Sequence, residues 1–458
     1  MQGDSCQTGA PVSEPLSNYP RRSGHPDSIY QESGLWNTAL SALWFANNYK
    51  WFVLMLVIVP GQIAAMADVP ANMKNTYWGW IFAAGAVWAF VGPSLMGGWS
   101  DKLGRRRVFM ITGSALTLIA LLIMAGVEKF WLLAAGYLML QVSDDVIQGA
   151  YASLIPQIVP KDKQARASAI LGALNLFAQI ATVIAALVLS GLGGLKGHQW
   201  VYLGIGLVQI ISLLCVLWAI RELKEPLPKA AVDPDAKPKE VKKGLTGWFS
   251  PLADHDFRTV WISRVLINLG FFIVQPYLQK FLDDVVGRQQ GADKVFSWFG
   301  ITITGTSIAL MVVLLSLSFS GGIGALLSSR RMEKWGLKKT ILFSGVVLAP
   351  VLLCIAFTRD YSMMWVLALA FGFGQGTFIS ADWAMGAATV PDPESLGKDM
   401  GIWSSAVVFA QVTAGLSGGI IDSLNGINMG MGYSAAFLLS GTVMLIGTQL
   451  IRRVQKVR

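Results

Sequence analysis

Charge is what this sequence has least of. Asp, Glu, Lys and Arg make up 14% of the 458 residues, while 53% are hydrophobic. An average soluble domain is about 25% charged. So few charges cannot coat a water-facing surface of this size, which excludes a cytosolic enzyme. Cysteine is nearly missing too: Cys6 lies in a polar stretch and Cys215 and Cys354 in apolar runs. That excludes a disulfide scaffold and predicts buried, inert thiols. The three histidines, His25, His198 and His255, lie far apart in tails or loops, without metal-ligand spacing. Neither a phosphate-cradling glycine loop nor a nucleophile elbow occurs, so no cofactor, metal or catalytic residue is expected.

What is abundant is apolar sequence. The 48 Gly and 17 Trp are types favoured in membrane helices and at their interfaces. At roughly 20 apolar residues per span, the sequence predicts an all-α integral membrane protein with twelve spans. They fall at 41–67, 76–97, 107–127, 130–156, 167–192 and 200–221, then 258–282, 298–327, 339–357, 361–389, 399–421 and 432–451. Residues 1–36 are polar and read as a disordered tail, with no apolar core of a secretory signal. Residues 222–257, rich in Lys, Pro and acids, read as a linker between two six-helix halves, 37–221 and 258–452. A short tail, 453–458, closes the chain.

The net charge of +9 is read as topology rather than as a nucleic-acid footprint. With an even number of spans both termini share a side. Placing them inside puts 27 of the 36 bases inside and 7 outside, leaving Lys50 and Arg264 within spans. The positive-inside rule therefore predicts cytoplasmic termini in the plasma membrane, with lipid and a small solute as partners, no nucleic acid, and a monomer.

The halves repeat. Gly104 answers Gly336 at an offset of 232, Val159-Pro160 answers Val390-Pro391 at 231, and Phe177-Ala178-Gln179 answers Phe409-Ala410-Gln411 at 232. Repeated halves around a midplane site are a build of secondary transporters. Between spans 2 and 3 the chain reads Gly97-Gly98-Trp99-Ser100-Asp101-Lys102-Leu103-Gly104-Arg105-Arg106-Arg107. This resembles the signature of the major facilitator superfamily, Gly-x-x-x-Asp-Arg/Lys-x-Gly-Arg-Arg/Lys. Glu333, Lys334, Gly336 and Lys338 form a degraded second copy. The resemblance spans roughly residues 40–452 and implies a transporter built of two pseudo-symmetric six-helix bundles. It also implies that the loop, through Gly97, Asp101, Lys102, Gly104, Arg105 and Arg106, latches the cytoplasmic side. Physically, Gly97 suits close helix approach, Gly104 a tight turn, and Asp101 a helix cap or an ion pair.

Five ionisable residues fall inside spans: Lys50, Asp144, Asp145, Arg264 and Asp382. Each costs about 2.5–3.5 kcal/mol at a helix centre on insertion scales, so each needs a partner. Matched depths predict the pairs Lys50–Asp145 and Arg264–Asp382. By resemblance, spans 1, 4, 7 and 10, which carry all five, line the central cavity. Asp144 and Asp145 are about 100° apart on a helix. The run Gln141-x-x-x-Asp145-x-x-Gln148-Gly149 resembles a second family motif, with Asp145 where an Arg commonly sits. That favours Asp145 as the cavity-facing acid and Asp144 as the contact to a neighbouring helix.

The same four spans carry amides and aromatics: Asn47, Asn48, Trp51, Gln141, Gln148, Asn268, Gln275, Tyr277, Gln375 and Trp383. Amides with flat rings suit a polyhydroxylated solute. Trp51 and Tyr277 stand out as candidate contacts. Span 5 lacks the Gly-Pro-rich stretch usual in drug/proton antiporters of the family, and the loop resembles the sugar/cation symporter branch. The expectation is a sugar-like solute coupled to a proton or another cation such as sodium, with a drug or metabolite efflux antiporter as the alternative. A channel or membrane enzyme is a distant third.

Overall fold

The computed structural model describes residues 29–151, 154, 158–160, 164–190, 196–223, 225, 250–290, 293–391 and 396–457. Among the described residues, ten helical segments are long and apolar enough to cross a membrane: Ala42–Ala65, Arg106–Gly126, Phe130–Tyr151, Gly197–Ala219, His255–Val286, Thr306–Ser328, Leu337–Ile355, Tyr361–Gly386, Ser405–Ile427 and Met431–Arg453. Two further helices, Lys74–Leu103 and Gln164–Ser190, supply spans 2 and 5. This completes six helices in each half, an all-α membrane fold. Spans 8, 10 and 11 extend to Thr306–Trp335, Tyr361–Thr389 and Leu396–Ile427. Below, the face at which span 1 begins and span 12 ends is the terminal face, and the other is the far face.

Two boundaries and the burial of one residue differ from the sequence reading. A short helix, Gly34–Leu40, precedes span 1. Its buried Trp36 donates Nε1–H to the Ala219 carbonyl at the end of span 6, at 3.0 Å, so the packed chain begins before the expected tail boundary at 36. Span 8 begins at Thr306 rather than 298, because three strands, Arg288–Gln290, Asp293–Trp298 and Ile301–Thr304, form an antiparallel sheet before it. Trp298 pairs with Ile301, leaving a two-residue loop in which Phe299 and Gly300 both have positive φ, 47° and 87°. Such a loop matches the right-handed twist of a hairpin. The β-branched run Ile301 to Thr304 fits a strand as well as it fits a span. Cys354, expected in the core, is exposed on span 9.

Spans 1 and 7 are both broken. In span 1, Pro60 lacks a donor and its ring crowds the carbonyl four residues back. The helix relieves this with a wide π-turn at Leu54–Ile58. In span 7, Pro276 sits in a 3-10 turn, Gln275–Tyr277, followed by a π-turn at Leu282–Val286. Pro60 and Pro276 are 216 positions apart, against 231–232 for the later repeat landmarks. The change falls across the connection after span 7, where the sheet is inserted.

The repeat reappears in how each half closes its terminal face. Arg107 on span 3 donates Nη2–H to the carbonyls of Ile220, Arg221 and Leu223 at the end of span 6. Lys338 on span 9 donates Nζ–H to those of Arg452 and Val454 at the end of span 12. Each cation satisfies orphan carbonyls of a helix C-terminus and sits at its negative end. The same ending is held from span 7, where Asp256 accepts from the N–H groups of Gln455 and Lys456. Asp254 caps that span's N-terminus. Burial raises the Asp254 carboxyl, but Lys456 and the N–H groups of Phe257 and Asp256 outweigh it and hold the group below the usual carboxylate range. A hydrogen bond to a charged group contributes about 1.5–3 kcal/mol. Arg107→Met and Lys338→Met are each expected to lower stability by about that amount, and additively, since each acts in its own half. Thermal unfolding of the purified single and double variants checks this.

Candidate functional site

Lys50 lies in span 1 and is fully buried. Its Nζ forms an ion pair with Asp144 Oδ1 on span 4, and the adjacent Trp51 donates Nε1–H to Asp144 Oδ2. The expected partner, Asp145, is not the one used. The 100° between the two acids turns Asp145 toward span 2, where Gly92 leaves the room: a Cβ at position 92 would overlap the Asp145 carboxylate. Trp88 and Gln141 flank that carboxylate, and its Oδ2 is buried without a hydrogen-bond partner. The pairing expected of Asp145 thus falls to Asp144, which contacts a neighbouring helix as expected. Asp144 joins spans 1 and 4, and Asp145 packs between spans 4 and 2.

In the second half Arg264 on span 7 pairs with Asp382 on span 10, as expected, and both are buried. The Arg264 guanidinium lies 3.1 Å from the ring centroid of Trp403 on span 11. Gly386 makes room for that ring, since a Cβ there would overlap it. The two pairs join equivalent spans but at different repeat positions. Asp144 lies fifteen residues before Val159 and Asp382 eight before Val390, so the two acids hold different positions in the repeat.

The far face is closed between the halves by spans 2 and 11. Small residues let the two helices meet: a Cβ at Gly79 would overlap the Gly415 carbonyl, and one at Gly418 the Asn75 carbonyl. Trp78 Nε1–H donates to the Pro276 carbonyl of span 7 at 3.0 Å. Rings link this closure to the first ion pair. Trp51 meets Tyr137 edge-on at 5.3 Å between centroids, and Tyr137 meets Trp78 at 5.7 Å. A cleft of about 600 Å³ also opens on the far face, beside Gln62, the Glu128–Lys196 ion pair, His198 and Ser307; Lys50, Asp144, Arg264 and Asp382 do not line it.

Comparison with known proteins decides the family. The family model described as Major Facilitator Superfamily matches residues 40–299 and 260–456. The chain belongs to the major facilitator superfamily. An uncharacterized MFS-type transporter, YuxJ of Bacillus subtilis, is 23% identical over 90% of this chain and 98% of its own. The multi-drug resistance efflux pump PmrA of Streptococcus pneumoniae is 26% identical over 43% of each chain. Among solved structures, a point mutant of the nucleoside transporter NupG superposes with a TM-score of 0.67 at 13% identity, covering 92% of this chain and 99% of that one. A bacterial homolog of the human lysosomal transporter Spinster, inward-facing and unoccupied, gives 0.63 at 14% identity, covering 93% and 96%. At these identities the structural likeness concerns the fold alone. The protein is therefore a membrane transporter rather than an enzyme.

Within the family's loop signature, Gly97 packs against Gly149 of span 4, a Cβ there lying 3.2 Å from the Gly149 carbonyl. Gly104 takes φ 62°, the left-handed turn that ends span 2. Lys102 and Arg105 are exposed, while Arg106 is buried and donates to Ser100 Oγ at 2.7 Å. Gly336, in the second copy, has φ 82°. The side chains of Asp101, Glu333 and Trp383 lie outside the described residues.

The polar candidates divide. Asn48 Nδ2–H donates to Asn175 Oδ1 of span 5, and Asn268 donates back to the Arg264 carbonyl. Asn47 Oδ1 and Gln148 Oε1 are buried without a hydrogen-bond partner, and Gln275 and Gln375 are half-buried. Tyr277 stands in the far-face closure instead of the central region: its hydroxyl donates to the Gly415 carbonyl at 3.2 Å and fills the space beside Gly79 and Gly418. Sequence reasoning missed Trp403, Tyr137 and Trp78, which sit in apolar runs and carry no pattern that separates them from core aromatics. Removing one member of a buried ion pair leaves the other uncompensated, at about 3–5 kcal/mol. Lys50→Met is expected to destabilise by that much, and Lys50→Met with Asp144→Leu to recover most of it. Thermal unfolding of the three proteins checks this; equal melting temperatures for Lys50→Met and the unsubstituted protein would contradict the pairing.

Proposed function

We propose that this protein is a secondary active transporter that moves a small polar solute, sugar-like by preference, by alternating access coupled to protons or another cation. In this reading the terminal face is cytoplasmic and the bilayer is the plasma membrane. The buried Lys50–Asp144 pair with Trp51 is the observation that carries the reading. A carboxylate that accepts from an ammonium and an indole holds two donors in check. Protonating it frees both for an acceptor on the solute, a hydroxyl or an anionic oxygen. Two donors a few ångströms apart, with the side-chain oxygens of Asn47 and Gln148 unpartnered nearby in sequence on the same two spans, suit a ligand bearing several hydroxyls. Arg264 and Asp382 offer the second half an equivalent exchange, and Asp145 is a second carboxyl beside the first.

The partial likeness to PmrA favours a second reading, cation-driven efflux of a drug or metabolite. The two differ in direction and in ligand.

Purified protein is first screened by thermal shift against sugars, nucleosides, amino acids and organic acids at two pH values, since a specific ligand stabilises by mass action. Hits are then followed into proteoliposomes. Saturable accumulation driven by a pH or sodium gradient, lost in Asp144→Asn while counterflow persists, is the expected result. Gradient-driven extrusion of apolar cations supports efflux. Passive, non-saturating conductance overturns both.

A further inference from the structure

We propose that Asp422 is the latch of the far face: a carboxylate on span 11 that caps the N-terminus of span 2 in the other half and must let go for that face to open. A helix N-terminus leaves backbone N–H groups without partners and a partial positive charge. Span 2 begins at Lys74 with Met73 at its N-cap, which offers no side-chain acceptor. The missing cap comes from across the interface. Asp422 Oδ2 accepts from the Thr76 N–H and from Thr76 Oγ1–H, both at 2.7 Å, and Oδ1 accepts from Asn75 Nδ2–H at 2.8 Å.

The link continues through the second half. Asn75 Nδ2–H also reaches the Tyr433 hydroxyl at 3.0 Å, and that hydroxyl donates to Asp284 Oδ2 at 2.6 Å. Spans 7, 11 and 12 are thereby tied to the first turn of span 2. Asn75 and Tyr433 are buried, at 4% and 2% exposure, while Asp422 and Asp284 are half-buried, so the network runs from the edge of the closure into it. The glycine contacts of Gly79 and Gly418 bring the helices near enough for a side chain as short as aspartate to reach the backbone N–H. Capping within one helix stabilises that helix whichever way the halves are tilted. Capping between halves stabilises only the tilt in which they touch. Asp422 therefore converts an ordinary helix cap into a bias on the conformational equilibrium. The latch depends on the two-half fold and is independent of the proposed solute and coupling ion.

The test uses the full-length protein in lipid, with Cys6, Cys215 and Cys354 replaced by serine. Spin labels go at Asn72 and Ile427 across the far face, or at Lys102 and Lys334 across the terminal face; all four positions are exposed. Asp422→Ala is expected to move the main far-face distance population longer by more than the wild-type width, and the terminal-face population shorter. Asn75→Ala should do the same to a smaller degree and Thr76→Val less again, since the Thr76 N–H remains. These two keep the proposal falsifiable if Asp422→Ala fails to fold. Unchanged far-face distances in a folded, monodisperse variant overturn the latch. So does a far face that loosens with no response at the terminal face, because that is local fraying.

Discussion

A cation buried in apolar surroundings has to be paired, and the arrangement of the spans follows from how this chain meets that demand. Lys50 and Arg264 each sit within a broken helix, out of reach of water, and each takes its partner from another span of the same half. The pairs therefore fix spans 1 to 4 and 7 to 10 within each half. Between the halves the contacts are of another kind: helix ends, glycines and hydrogen bonds along spans 2 and 11. Ion pairs within halves, with helix-end and glycine contacts between them, suit two bodies that rock against each other as units.

Span 2 is where the two kinds of contact meet. Its first turn receives the Asp422 cap, its middle receives Asp145 against Gly92, and its end turns at Gly104 after packing on Gly149. Trp78 on the same helix joins the ring series from Trp51 to the broken part of span 7. A change at the Asp144 carboxylate thus has a packed route to the far-face closure, through side chains that are all in contact. Asp144 and Asp382 stand at different positions of the repeat, so the halves, though repeated, do not carry their acids at equivalent residues.

Much of this was legible in the sequence. Apolar run lengths gave the helices, the loop signature gave the family, and the rarity of charge inside spans singled out four of the paired residues. The choice between Asp144 and Asp145 was not legible, because it turns on Gly92, a residue far away in sequence whose missing side chain makes the space. The latch was missed for a different reason. Asp422, Asn75, Asp284 and Tyr433 all lie within two residues of an expected span end, where a charged or polar residue looks like ordinary solvent-facing loop. Only the meeting of helix ends from both halves turns them into one network, with Asn75 and Tyr433 buried in it. The sheet before span 8 was hidden because an apolar, β-branched run is equally good as strand or span until its turn glycines are weighed.

The central claim is that the Lys50–Asp144 pair opens and closes during transport. Infrared difference spectroscopy of the reconstituted protein, with and without the solute identified by the stability screen, tests it most directly. The account predicts a carbonyl-stretch band of a protonated carboxyl that appears with solute and is missing in Asp144→Asn. A solute-induced spectrum identical in the two proteins would mean that Asp144 keeps its charge and its partner throughout, and would contradict the account.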